Sequence, residues 1–387
     1  MLNDNLVDMK VLHVQTGSAR TGGVARYISR IVTGLSTEHS KFFVTCLDSD
    51  LEDLETNSLY GSAKVSPVFR KDKSLWYFLG IFKIIKLIKK ENIQIVHFHC
   101  LKSALLGFPI IVFCNATIVY TNHGLRYTLE KNSYRRFYYL FLELCVAKFV
   151  NNYISIRESD DLMISNIFSN NEKMRVIKTF SEPVQYKQTK NIPLDTNKSD
   201  IIILSFVGSL IEIKNPFRFL NWVEEIISTG ETKVEAHIFG EGHLEPSLKN
   251  EVLLKKLPVV FHGNVDQEDI FRFYNDHHLV YFCLTSDIDT LPMAALEAYF
   301  FGIPIITNDR PGLSDYFKDR EAGYLCSCPR MLIELKEILF SPSQYKLLSS
   351  SAKEFSLRTF PSYESWLYCH AELYGIEKSV GKWETKN

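Results

Sequence analysis

A chain of 387 residues exceeds one ordinary domain and fits two of about 150–200 residues. With 46% hydrophobic and 13% aromatic residues it has material for two buried cores, which excludes disorder. A formal net charge of −1 excludes general nucleic-acid binding, so no nucleic-acid partner is expected. Between Tyr60 and Val150, however, 14 Lys and Arg face four acids, a basic region suited to an anionic surface.

The start MLNDNLVDMKVLHVQTG runs straight into a strand-like segment. Together with eight scattered cysteines this reads as a cytoplasmic protein with free thiols. Only Cys326 and Cys328 are close, and no Cys/His partners stand at zinc spacing. The first half predicts strands at KVLHVQT, FFVTCL, IQIVHFH, TIVYTNH and YISI, with helical spacing in GGVARYISRIVTGLS and WYFLGIFKIIKLIKKEN. ALLGFPIIVFCNATIVY (Ala104 to Tyr120) is 17 residues without a charge, near the lower limit of a membrane span. Pro109, Asn115 and its β-branched second half favour a buried helix followed by a buried strand. The polar stretch EPVQYKQTKNIPLDTNKSD predicts an interdomain connection, with a first domain over 1–185, a linker over 186–200 and a second domain over 201–361. There the strands are IIILSFVGS, VEAHIFG, VVFHG, LVYFCLT and IPIITN, with a helix at NPFRFLNWVEEIIST. Apolar strands alternating with helices predict an α/β architecture of doubly wound parallel sheets. Ligands of such sheets bind outside the carboxyl ends of strands, so chemistry is sought in those loops.

Gly22 and Gly23 open the first helix, where unpaired N–H groups suit an anion, although a plain helix start explains them equally. There is no G-x-G-x-x-G and no P-loop. In VGSLIEIKNP a strand ends at Gly208, and Lys214 precedes the helix-starting Pro216. Such a lysine reaches a diphosphate as a point charge, or is simply solvated. A second glycine turn follows at Gly240 and Gly242. His97, His99 and His123 end two strands and are candidates for ligand contact or for structure. In TSDIDTLPMAALEAYFFGIP, Thr290 or Leu291 would cap a helix with Pro292 in its first turn. Asp289 then precedes a helix N-terminus, and Glu297 lies about 7–8 Å further along the axis. That spacing suits two parts of an elongated ligand better than a shared proton. Asp287 reads as a loop or capping acid.

Taken together, the chain resembles the retaining glycosyltransferases of the GT-B fold, in the large family 4 that includes bacterial polysaccharide and lipopolysaccharide enzymes. The resemblance rests on Gly22–Gly23, the H-x-H of His97 and His99, and His123–Gly124. It continues through VGSLIEIK, GEG, and an acid-x7-acid motif from Asp289 to Glu297 followed by AYFFGIP. It implies two Rossmann-like domains across a cleft, with a final helix, about 362–380, returning to the N-terminal domain. It further implies transfer of a hexose or N-acetylhexosamine from a nucleoside-diphosphate sugar to a lipid-linked glycan, in O-antigen or capsule synthesis. The donor is expected to carry UDP rather than GDP. By the resemblance Lys214 holds the donor diphosphate, Glu297 the ribose and Asp289 the sugar, with Gly208, Ser209, Gly240, Gly242, Leu291 and Pro292 around them. His123 sits against the transferring sugar. Gly22, Gly23, His99 and Arg126 fall on the acceptor side. No metal or other cofactor is implied. Asp289 replaces a glutamate of the family pattern, Ser209 stands where arginine is usual, and the usual NG before the linker is absent, the chain reading KTFSEPV.

The alternatives are a metal-dependent transferase using Asp287 and Asp289 as a D-x-D pair, or an inactive nucleotide-sugar-binding protein. Lys83, Lys86 and Lys90 share a helical face opposite Ile81, Ile84, Ile85 and Ile88. With Trp76, Tyr77, Phe78 and YRRFYYLF, the 70–148 region is either a solvated face or a site docking on the anionic inner face of the cell membrane.

Overall fold

The computed structural model describes residues 9–16, 23–47, 59–69, 74–124, 127, 130, 132–157, 173–181, 201–228, 233–289, 292–309, 313, 316–326, 339 and 341–376. The chain divides into two compact units, Met1–Thr179 with Tyr363–Asn387, and Phe180–Ser362.

In the first unit β1 (Met9–Val14), β2 (Ser40–Leu47), β3 (Lys64–Phe69), β4 (Ile95–His99), β5 (Thr117–Asn122), β6 (Asn152–Ser155) and β7 (Met174–Val176) form one sheet in the order β3-β2-β1-β4-β5-β6-β7. Every pairing in it is parallel. Its helices are α1 (Gly23–Leu35), α2 (Ser74–Glu91), α3 (Leu101–Ala104), α4 (Gly107–Phe113) and α5 (Ser133–Phe149). Side chains alternate across a strand, so parity decides which face each residue joins. Leu12, Val14, Val96, Phe98, Ile118 and Tyr120 share a core with Ile84 and Ile88 of α2, Ile110 of α4 and Val146 of α5. The intervening His13, His97, His99 and Thr121 therefore lie on the opposite face, and all four are fully buried.

The second unit repeats the plan with β8 (Ile202–Val207), β9 (Val234–Phe239), β10 (Val259–Gly263), β11 (Val280–Leu284), β12 (Ile305–Thr307) and β13 (Gly323–Leu325), in the order β10-β9-β8-β11-β12-β13. Its helices are α6 (Pro216–Ile227), α7 (Glu245–Lys255), α8 (Gln267–Asp276), α9 (Met293–Phe300) and α10 (Pro342–Thr359). Ile202, Leu204 and Phe206 pack with Phe219, Trp222 and Val223 of α6, whereas Ile203 joins Phe282, Leu296, Tyr299 and Phe355. One strand thus feeds two cores, which is why these strands are continuously apolar.

The last helix, α11 (Tyr363–Tyr374), belongs to the first unit and packs on α1. Gly34 permits that approach, because a Cβ there would stand 2.5 Å from Leu367. The Tyr363 hydroxyl donates to the Arg30 carbonyl at 2.9 Å, and Trp366 is fully buried.

Two expectations need correction. The uncharged run from Ala104 is not a fully buried helix: α4 buries Ile110 but exposes Phe108, Ile111, Val112 and Phe113, while the following strand is buried from Ile118. Pro292 is the N-cap of α9 and not its first helical residue. Thr290 and Leu291, and the linker 186–200, lie outside the described residues.

Candidate active site

Each sheet reverses strand order between its first and fourth strands, and the loops leaving those strands are where a doubly wound sheet binds ligands. In the second unit these loops follow β8 and β11. After β8 come Gly208, the exposed Ser209 and a single 3₁₀ turn, Glu212–Lys214. Asn215, held at φ 47°, caps α6 by accepting from the Arg218 N–H at 3.2 Å, and Pro216 supplies the first helical position.

The two loops are stitched to one another. The Asp287 N–H donates to the Ile213 carbonyl at 3.0 Å, and Thr285 Oγ1 donates to the Lys214 carbonyl at 3.1 Å. Lys214 Nζ is ion-paired with Asp289 Oδ2, an oxygen that also accepts from Ser286 Oγ at 3.2 Å. The Tyr316 hydroxyl donates to the Asp289 carbonyl at 3.3 Å. Lys214 and Asp289 therefore meet directly instead of standing apart along a ligand. An ammonium carries three donors, so this pair leaves Lys214 capacity for a further anionic oxygen.

Asp287 is more than a loop acid: Arg218 Nη2 stands 2.7 Å from its Oδ1, and Asn215 Nδ2 donates to its Oδ2 at 3.1 Å. Arg218 Nη1 also donates to the Thr285 carbonyl at 2.7 Å. Sequence reasoning missed Arg218, although its place in the first turn of the helix after Lys214 was a usable signal. Glu297 is the fifth residue of α9 and is buried. Gly240 and Gly242 have a structural task whatever else they do. A Cβ at Gly240, where φ is +132°, would lie 2.1 Å from the Gly208 carbonyl oxygen, and one at Gly242 would lie 2.3 Å from that of Leu210. The loops after β8 and β9 can close on one another only because both positions lack a side chain, and the Leu210 N–H then donates to the Glu241 carbonyl at 2.9 Å.

In the first unit the register pairs His13 with His97 and His99 with Thr121, so parity and register together assemble a cluster of imidazoles. His13 Nδ1 lies 2.9 Å from His99 Nε2, and His99 Nδ1 lies 3.0 Å from His123 Nε2. His97 bonds through Nδ1 to the Tyr374 hydroxyl at 2.5 Å and through Nε2 to Thr121 Oγ1 at 2.7 Å. The Tyr27 hydroxyl meets His370 Nε2 at 2.8 Å, and its ring stands edge-on to His123 at 4.8 Å. Burial, with His370 close by, pushes His13 and His123 down to about 3. Burial likewise lowers His370 to about 4, and holds His97 and His99 well below the usual range. At neutral pH all five rings are uncharged.

Three nitrogens of His13, His97 and His99 lie close enough for a metal ion, but every nitrogen of His97 and His99 is already in a hydrogen bond. The rings of those two lie with centroids 4.2 Å apart and planes tilted by 31°. His99 is fully buried with both nitrogens used, so it stands behind His123 and does not itself face an acceptor. His123, at the end of β5, is only partly buried. Sequence reasoning missed His13, Tyr27, His370 and Tyr374. Gly23 begins α1, while Gly22, Arg126 and Leu291 lie outside the described residues.

Comparison with known proteins agrees with this layout. The family described as Glycosyltransferase Family 4 matches residues 21–179, and Glycosyl transferases group 1 matches residues 187–353. The chain is 26% identical over 272 residues, 67% of each chain, to the UDP-Gal:alpha-D-GlcNAc-diphosphoundecaprenol alpha-1,3-galactosyltransferase of Escherichia coli. It is 25% identical over 292 residues, 75% of this chain and 79% of the other, to the Escherichia coli O-antigen biosynthesis glycosyltransferase WbnH. The fold matches Anabaena HepE, solved with UDP and glucose, with a TM-score of 0.72 at 14% identity, covering 95% of this chain and 100% of that one. The chain belongs to glycosyltransferase family 4, with the GT-B fold, and is a glycosyltransferase.

Proposed function

We propose that the protein moves a hexose or N-acetylhexosamine, with retention, from a UDP-sugar to a lipid-linked glycan during synthesis of a bacterial surface polysaccharide. The observation that carries this reading is the Lys214–Asp289 pair at the switch point of the second sheet, followed by Glu297 on α9. In this reading Lys214 takes the donor diphosphate, Glu297 the ribose hydroxyls, and Asp289 the sugar. His123 in the first unit contacts the transferring sugar. The acceptor hydroxyl oxygen bonds to the anomeric carbon as the bond from that carbon to the β-phosphate oxygen breaks. The hydroxyl proton leaves with the diphosphate, whose growing charge Lys214 neutralises. The Escherichia coli galactosyltransferase named above, with its UDP-sugar donor and diphosphoundecaprenol acceptor, supports these substrate classes.

The D-x-D alternative is disfavoured because Asp287 and Asp289 are each paired with a cation, Arg218 and Lys214. Transfer is therefore expected to proceed in EDTA; loss with EDTA and recovery with Mn²⁺ would replace this reading by the metal-dependent one. The direct test is a thermal-shift panel of nucleotide sugars, followed by transfer to lipid-linked acceptors. Binding of a UDP-sugar with product of retained anomeric configuration is expected. No binding across the panel would overturn the proposal, and binding without transfer would make the protein an inactive binder.

A peripheral membrane contact completes this reading. Among the described residues no helix is long and apolar enough to cross a membrane. Yet Phe108 is 61% and Val112 64% exposed on α4, Phe137 72% on α5 and Phe82 67% on α2. Exposed Lys83, Lys86, Arg135 and Arg136 lie on the same helices. An apolar surface carrying cations suits an anionic bilayer. Buried Glu143 secures α5 by accepting from the Tyr120 and Tyr153 hydroxyls at 2.9 and 2.6 Å, which turns its aromatic stripe outward. Co-sedimentation with phosphatidylglycerol vesicles at low salt is expected, reduced by Phe108→Ser with Val112→Ser. Failure to sediment even at low salt would remove the membrane contact and leave the transferase reading standing.

A further inference from the structure

The last helix reaches the imidazole cluster with one stripe. Trp366, His370 and Tyr374 stand four residues apart on α11, so they share a face, and all three are buried. Tyr27, the fifth residue of α1, touches both that stripe and His123. Its ring is perpendicular to Trp366, with centroids 5.0 Å apart, and perpendicular to His123 at 4.8 Å.

The bond that holds Tyr27 there has a defined direction. His370 Nδ1 lies 2.9 Å from the Trp366 carbonyl oxygen, which can only accept, so the imidazole N–H is on Nδ1. Burial lowers His370 to about 4, so at neutral pH the ring carries no second proton and Nε2 is a lone pair. The Tyr27 hydroxyl, 2.8 Å from Nε2, therefore donates to it. Burial also raises that hydroxyl well above its usual range, so it keeps its proton. From Tyr27 through His370 to the Trp366 carbonyl the donors all point one way, and the series ends on helix backbone. This holds for either tautomer of His123.

Phenylalanine at position 27 would fill the same space, so packing alone does not call for the hydroxyl. What the hydroxyl adds is orientation. A perpendicular ring contact has a broad optimum, with centroids roughly 4.5–7 Å apart, whereas a hydrogen bond fixes distance and angle closely.

We propose that Tyr27 is a positioning residue for transfer, carrying the anchor of α11 to His123 and holding the plane of that imidazole. The C-terminal helix is then a working part of the site as well as an element of the fold. The inference rests on the reading of His123 as the residue at the transferring sugar; the direction of the Tyr27–His370 bond does not.

The test is a double-mutant cycle in the full chain, with Tyr27→Phe, His370→Phe, the two combined, and His123→Ala alongside. Tyr27→Phe keeps the ring and should lower kcat about fivefold with donor KM little changed, since the donor is held by the second unit. His370→Phe should do the same, and the double variant should lose no more than either single one. In ¹⁵N NMR at neutral pH, wild-type His370 should show a pyrrole-type Nδ1 and a pyridine-type Nε2. A purely structural bond would lower stability in denaturant and leave the kcat of the folded enzyme unchanged. Unchanged kcat in Tyr27→Phe, beside a loss in His123→Ala, overturns this inference alone. Losses that multiply in the double variant overturn it as well, and so does a His370 proton on Nε2. Unchanged kcat in His123→Ala refutes the role of His123 at the sugar, and the inference falls with it. If His370→Phe does not fold, Tyr27→Phe and the His370 spectrum decide.

Discussion

The two units share one topology but furnish their switch points with opposite chemistry. Around β1 and β4 the first unit gathers five uncharged imidazoles, three from those strands, one after β5 and one from α11, bonded to one another or to hydroxyls. Behind β8 and β11 the second carries two ion pairs, Lys214–Asp289 and Arg218–Asp287, partly open to solvent. Such a buried cluster is nearly charge-free, suited to holding one group in one orientation. The partly exposed Lys214 ammonium keeps donors beyond its bond to Asp289 that can meet a diphosphate oxygen. The fold is therefore a neutral scaffold used twice, and the difference lies in which residues parity places at the ends of the strands.

The contrast can be broken hardest at Lys214. Lys214→Ala should lower kcat/KM by about 10²–10³, because it removes the cation set against the leaving diphosphate, and steady-state kinetics will read this. Asp289→Ala should mainly lower kcat, whereas Glu297→Gln should mainly weaken donor binding by calorimetry. Next comes Gly240→Ala, whose Cβ would collide with the Gly208 carbonyl oxygen at 2.1 Å. A loss of about 3 kcal/mol in chemical denaturation is expected, confined to the second unit.

Acid should weaken both units, the first more, since in the second burial lowers His237 to about 4 and His262 less strongly. The unfolded chain protonates its histidines below about pH 6.5, while folded His13 and His123 resist until about 3 and His370 until about 4. The unfolded state thus binds more protons in that window. First-unit stability is full above it and falls as pH falls, by about 1.4 kcal/mol per pH unit for each such histidine. Fluorotryptophan ¹⁹F NMR can follow this, with buried Trp366 reporting the first unit and Trp222 the second. The smallest effect is expected at Arg218→Ala: its pair with Asp287 is substantially exposed, so stability should change by about 1 kcal/mol or less, with a modest rise in donor KM.

Much of this was legible in the sequence, and the limits have physical causes. Strands buried on both faces announced themselves as apolar runs. The strands that did not, β3, β7 and β13, are all at sheet edges, where among the described residues one side lacks a partner strand. β3 even contains Pro67, which an edge tolerates. Lys214, Asp289 and Glu297 could be picked out as candidates because strand ends and helix starts leave local marks. His97 and His99 were visible as an i, i+2 pair on one face, but His13 joins them only through strand register, and His370 only through the packing of α11 on α1. Both depend on contacts far apart in the chain. The exposed face of α4 was read as buried because an apolar run reports hydrophobicity and not what covers it.

Donor binding by the second unit is the property on which the roles of Lys214 and Glu297 most directly depend. Calorimetric titration of UDP into wild-type, Lys214→Ala and Glu297→Gln proteins in EDTA tests it. Wild type should bind with one site, and each variant should weaken binding by at least about tenfold, near 1.4 kcal/mol. Equal binding by all three proteins, or binding only after a divalent metal is added, would contradict the assignment of these residues to the donor.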